Sequence, residues 1–227
     1  ALGLGTRLVG TAFRIDPGPV PPTEYQVPGD PSSAAYLWAA AAISRGSEVT
    51  TPGIVLNPGR MGFLQILEMF GAAIEASVTG SILGDAVGTV TVRGHGLFSA
   101  EVAGPVAVAA LDELPLVAVL GALGEGITVV RDARELRAKE SDRIESTVNM
   151  IRALGGGAEP TDDGFAVVGT GWLEEGTVAT AGDHRIAMSA AVAATGATGP
   201  ITIEDAEVAA VSWPGFYEQL EATWSSQ

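Results

Sequence analysis

The chain has 227 residues, 47% of them hydrophobic and 17% charged, which permits a sizeable core and excludes global disorder. It has no cysteine, which rules out disulfides and thiolate metal sites, and its net charge of −15 argues against a nucleic-acid partner, whose footprint should be basic. No apolar run reaches the roughly 18–20 residues of a membrane span, and no secretory leader is visible, so a cytoplasmic protein without a membrane partner is expected.

Residues 1–26 read as a strand pair over 7–15 followed by a Pro-rich crossing over 17–22. They do not fit the pattern that follows and are expected to be the tail of a preceding domain, with a boundary near 27–30. Residues 27–227 then repeat one plan. The segments SSAAYLWAAAAISRGSEVTTPGI (32–54), DELPLVAVLGALGEGITVVRDA (112–133) and DHRIAMSAAVAATGATGPITIEDA (183–206) each read as an apolar helix, a Gly-containing stop, a β-branched strand and a turn. The first two continue alike, through an amphipathic helix, a glycine stop and a strand-turn-strand (63–80 and 142–169). The third ends in WPGFYEQLEATW, a closing helix from near Pro214 with no strands after it.

The first helix of each unit is small-residue-rich and apolar all round, so it is expected to be enclosed by other structure. The spacing predicts buried helices over 32–44, 113–123 and 184–195, in equivalent places of three units. The fold class that follows is α/β with helices packed inside sheets.

Polar patches stand at the starts of these helices: Asp112-Glu113, ELRAKESDRI (135–144) and DHRIAM (183–188). Helix N-termini offer free N–H groups to anions, and Arg143 and Arg185 add forked donors for an oxyanion. Arg131, Arg134, Arg137, Lys139, Arg143 and Arg152 cluster in one short stretch of an acidic chain, either as a small-anion site or as a solvated, salt-bridged helix start. Lys139 is the only lysine. Asp112 reads either as a base or as a plain helix cap. Glu140, among cations, reads either as a proton carrier or as a surface ion pair. Ser32 and Ser33 read as caps of the first helix, and His95 as a turn residue.

The motifs VPGDPSSAAY, LDELPLVAV, ELRAKESDRI, GDHRIAMS and SWPGFYEQL, in this order, resemble the 5-enolpyruvylshikimate-3-phosphate synthase family from about Val27 to the C-terminus and, more weakly, to the start. The resemblance implies an enolpyruvyl transferase-like, inside-out α/β domain of three βαβαββ-type units with buried helices. It implies transfer of the enolpyruvyl group of phosphoenolpyruvate to the 5-hydroxyl of shikimate 3-phosphate, releasing phosphate without metal or organic cofactor. By motif position, Asp112 is the implied base at the 5-hydroxyl and Glu140 the proton carrier at the methylene carbon. Lys139 would contact shikimate 3-phosphate, and Arg143 and Arg185 would hold phosphoenolpyruvate. Val211 stands where many members carry a lysine.

The family's N-terminal half, with its own substrate clamps, is not among these residues, so a domain fragment carrying about half an active site is expected. The five site residues should then share one open, concave face of positive potential, turned toward the missing domain. Two other readings are a UDP-N-acetylglucosamine enolpyruvyl transferase, against which ELRAKESDRI counts, and a non-catalytic anion-binding or assembly module.

Overall fold

A computed structural model describes residues 5–19, 22 and 24–224. The expected tail lies partly outside these residues. Within it, β1 (Thr6–Val9) and β2 (Ala12–Ile15) form an antiparallel hairpin. Every residue of the hairpin is exposed, including Leu8, Val9, Phe13 and Ile15. A two-stranded ribbon with no apolar cover is marginal in water.

The three expected central helices are present as α1 (Pro31–Ile43), α4 (Leu114–Leu123) and α6 (His184–Ala194). Each packs against the other two. Alanine, leucine and valine on all sides of α1 and α4 leave no polar face for water, so both are buried almost throughout. Trp38 of α1 keeps its indole N–H satisfied by donating to Thr51 Oγ1 at 2.9 Å.

Each unit lays a sheet over its own helix. In the first, β3 (Glu48–Val55), β4 (Ala73–Ile82) and β5 (Asp85–Arg93) pair antiparallel in the order β3-β5-β4, with α2 (Gly62–Met69) between β3 and β4 in sequence. The second adds β6 (Glu101–Val102) parallel to β7 (Glu125–Val130), and continues antiparallel through β9 (Gly164–Thr170) to β8 (Gly157–Thr161). Helix α5 (Arg143–Ala153) precedes β8. In the third unit, β10 (Gly176–Val178) pairs parallel with β11 (Ile201–Ile203), and α7 (Phe216–Trp224) closes the chain. The leading parallel strand of the first unit is reduced to a bridge from Gly29 to Ile54. All three units thus share the strand-helix-strand start. Among the described residues, the third lacks the antiparallel strand pair.

A shared glycine records the repeat at atomic level. A Cβ on Gly94 would come within 2.2 Å of the Ser44 carbonyl oxygen at the end of α1. One on Gly169 would come within 2.4 Å of the Gly124 carbonyl oxygen at the end of α4. Each sheet can approach its helix end only because no side chain intervenes.

The structure adds α3 (Gly104–Ala109), which the repeat reading omits, and starts α7 slightly later than expected. Among the described residues, no helix is long and apolar enough to cross a membrane.

Candidate active site

The starts of α4, α5 and α6 meet, and their first turns bring most of the singled-out side chains together. Asp112 sits in the 3-10 turn Leu111–Glu113 that leads into α4. Lys139 and Glu140 follow the 3-10 turn Arg134–Ala138. Asp142 then caps α5, accepting from the amides of Ile144 and Glu145 at 3.2 Å each. Arg143 opens α5. Asp183 caps α6, accepting from the Arg185 amide at 2.9 Å.

Arg143 is the hub. Its side chain is only 2% exposed, and its Nε donates to Asp183 Oδ2 at 2.8 Å. Its Nη1 donates to Asp112 Oδ1 at 2.9 Å, and its Nη2 to Glu140 Oε2 at 2.5 Å and Asp183 Oδ1 at 3.3 Å. Lys139 Nζ lies 3.3 Å from the same Asp112 oxygen and 3.4 Å from Glu135. Ser141 donates to Asp183 at 3.0 Å. One planar guanidinium therefore joins carboxylates from three segments, a geometry that lysine could not reproduce. Asp112, Lys139, Glu140 and Arg143 form one connected network, with Arg185 attached through Asp183.

Arg185 is held differently. Its Nη1 is 3.5 Å from Glu113 Oε1, and its Cζ stands 6.0 Å from the centre of the Tyr36 ring. Its Nε is buried without a hydrogen-bond partner among the described residues, as is the Tyr36 hydroxyl.

Burial works against ionisation throughout the junction, and local charge decides the outcome. At Asp112, burial is outweighed by Arg185, Lys139 and Arg143, and the carboxyl is held below its ordinary range. At Asp183, burial is outweighed by the hydrogen bonds and charge of Arg143, and the direction is again downward. At Glu113, burial prevails over the Ser32 hydroxyl and Arg185 and pushes the carboxyl up. Burial also raises the Tyr36 phenol to about 12, against the Arg185 charge. Burial and then Arg185 lower His184.

Several expectations need correction. The cations expected on an open face, Lys139, Arg143 and Arg185, each stand against carboxylates of Asp112, Glu113, Glu140 and Asp183. Exposure falls from 51% at Glu140 and 43% at Asp112 to 23% at Lys139 and 2% at Arg143, so these two cations lie beneath these two acids, while Asp183 and Glu113 are buried with them. Of the two readings of the cation-rich stretch, the ion pairs outside the junction fit the salt-bridged one. Arg131 pairs with Glu101, Arg137 with Asp142 and Glu145, and Arg152 with Glu159. Asp112 makes no cap bond, since its carboxylate is engaged by Lys139 and Arg143. Ser32 and Ser33 are not caps either. Ser32 accepts from Arg60 at 3.0 Å, and Ser33 donates to Asp30 at 3.4 Å. Val211 is exposed.

Sequence reasoning assigned nothing to Asp183, Glu113 or Tyr36, though each lies inside a motif already quoted. Asp183 and Glu113 share the signal of an acid at the start of an otherwise apolar helix, and Tyr36 is a polar side chain within one. A cavity of about 550 Å³ lies elsewhere, between α1, β3 and α7, and none of the five expected residues lines it. Among the described residues, no group of three or more His, Asp or Glu side chains is arranged to hold a metal.

A protein-family model described as EPSP synthase (3-phosphoshikimate 1-carboxyvinyltransferase) matches residues 5–220. The chain is 45% identical over 197 residues to the 3-phosphoshikimate 1-carboxyvinyltransferase of Herpetosiphon aurantiacus, covering 87% of this chain and 46% of that protein. It is 41% identical over 224 residues to that of Roseiflexus castenholzii, covering 97% and 52%. Among solved structures, EPSP synthase from Acinetobacter baumannii superposes with a TM-score of 0.91 at 32% identity, over 98% of this chain and 52% of that one. The enolpyruvyl transferase NikO from Streptomyces tendae shares the fold at a TM-score of 0.70 and 19% identity. The chain spans about half the length of the curated relatives it matches.

Proposed function

Because the chain belongs to the EPSP synthase family, we propose that it supplies the C-terminal half of an enzyme that moves the enolpyruvyl group of phosphoenolpyruvate onto the 5-hydroxyl of shikimate 3-phosphate, releasing phosphate. Residues 27–227 are the C-terminal domain in this reading, and residues 1–26 belong with the preceding one. The exposed Leu8, Val9, Phe13 and Ile15 of the hairpin suit such a neighbour.

The observation that carries the reading is the shared guanidinium. Arg143 ties Asp112 of one segment to Glu140 of another and leaves both carboxylates half-exposed. Two acids fixed at one place can move protons in both directions of an addition–elimination. Asp112 takes the 5-hydroxyl proton as oxygen bonds to the central carbon of phosphoenolpyruvate, and Glu140 delivers a proton to the methylene carbon. In the second step Glu140 removes a proton from the resulting methyl group, the carbon–oxygen bond to phosphate breaks, and the Asp112 proton leaves with phosphate. Lys139, paired with Asp112, stays close to the reacting hydroxyl. Arg185 meets the phosphoenolpyruvate anion. Arg143, whose side chain is 2% exposed, already gives four of its five N–H donors to Asp112, Glu140 and Asp183. The scheme calls on no metal or organic cofactor. The UDP-N-acetylglucosamine reading is not better supported: the family model and the relatives named above are those of 3-phosphoshikimate 1-carboxyvinyltransferase.

The test is reconstitution. This chain is mixed with the N-terminal half of the Herpetosiphon aurantiacus relative, and phosphate release is followed with both substrates. The expected result is release that needs both halves and both substrates, none from this chain alone, and a loss of about a hundredfold or more in Glu140→Gln. Release that is unchanged in both Glu140→Gln and Asp112→Asn would overturn the assignment.

A further inference from the structure

Arg185 is the least satisfied cation of the junction. Its guanidinium is largely buried; among the described residues its Nε has no hydrogen-bond partner, and its one ion pair, with Glu113, is long at 3.5 Å. Nearby Asp112 is already shared by Lys139 and Arg143, and Asp183 gives its carboxylate to Arg143, Ser141 and the Arg185 backbone. Among the described residues, Glu113 is therefore the only carboxylate in contact with the Arg185 side chain. It is itself only 5% exposed and sits beside Asp112 in the turn before α4.

A buried carboxylate this close to a buried arginine fixes the arginine's direction. The Tyr36 ring flanks Arg185 and Glu113 takes up Nη1, so rotation is limited while hydrogen-bonding capacity stays unused. We propose that Glu113 is a positioning residue that holds Arg185 ready for an incoming phosphorylated or carboxylated anion. It links the start of α4 to the start of α6 and never touches the ligand. This inference rests on the reading of Arg185 as an anion contact.

The experiment uses the full 227-residue chain labelled at arginine nitrogen. The Arg185 Nε–H resonance and its exchange with water are followed by NMR while phosphoenolpyruvate is titrated in, with inorganic phosphate in parallel. In the parent chain the resonance should be dispersed, slow to exchange, and shifted saturably by phosphoenolpyruvate. Glu113→Gln should speed exchange and weaken phosphoenolpyruvate binding by about tenfold each, with smaller losses in Glu113→Asp. Should Glu113→Gln fail to fold, Glu113→Asp carries the test through its own exchange rate. Parental exchange and affinity in the Glu113 variants, with binding weakened in Arg185→Gln, overturn the positioning role alone. Binding that is unchanged in Arg185→Gln, or absent from the parent chain, overturns the reading of Arg185 and the inference with it.

Discussion

Arg143 and Arg185 open neighbouring helices of one polar junction, and their surroundings differ in kind. At the start of α5, Arg143 spends its donors on Asp112, Glu140 and Asp183. At the start of α6, the Arg185 side chain has one long ion pair and the flank of the Tyr36 ring, and among the described residues its buried Nε has no hydrogen-bond partner. An arginine satisfied by the protein acts as a brace. One left short of partners is suited to a ligand, because binding then adds bonds without breaking any.

The largest expected effect tests that contrast directly. Arg143→Leu leaves the fully buried Asp183 without its cation and should cost about 3–5 kcal/mol in urea unfolding. Arg185→Leu should cost only about 1–2 kcal/mol, because Glu113 can take up a proton once its partner is gone. Equal losses at the two positions would remove the distinction between brace and ligand contact.

A smaller effect separates the two regions by pH. Asp183 is held low, so its contribution to stability is complete above the ordinary value of 3.8 and is lost as pH falls through the lower folded value. Glu113 is held high, among Asp112, Arg185, Arg60 and Ser32, so its sign is opposite. Stability present below the ordinary 4.5 is lost as pH rises through the higher folded value. Melting temperatures should show Asp183→Asn flattening the acid limb and Glu113→Gln flattening the fall above it. The same limb flattened in both variants would mean that one of the two directions is wrong.

The smallest effect comes from the cation-rich stretch outside the junction. Arg152, half-exposed beside an exposed Glu159, should cost about 0–1 kcal/mol as Arg152→Ala in the same unfolding measurement. A loss comparable to that of Arg143→Leu would give the whole stretch the role that the structure reserves for its buried member.

The fold was legible in the sequence to an unusual depth. Alanine-rich helices with no polar side can be stable only when enclosed, and that requirement alone led to α1, α4 and α6 as an internal core. Glycine stops and β-branched strands located β3, β7 and β11. The short α3 was missed because Pro105 and a mixed apolar run give no helical period. The site was legible as a set of motifs, and the pairing within it was not. From sequence, the cluster from Arg131 to Arg152 read equally as a small-anion site or as a salt-bridged helix start, since charges along a chain can be counted before their partners are known. Only the packing of three helix starts decided that Arg143 turns inward to Asp112, Glu140 and Asp183 while Arg137 and Arg152 turn to solvent-facing acids. The sequence by itself determined which segments must be buried, because burial follows from local composition. The tertiary structure decided which acid meets which cation, because those contacts join residues as far apart as Glu113 and Arg185, and no local pattern specifies their distance.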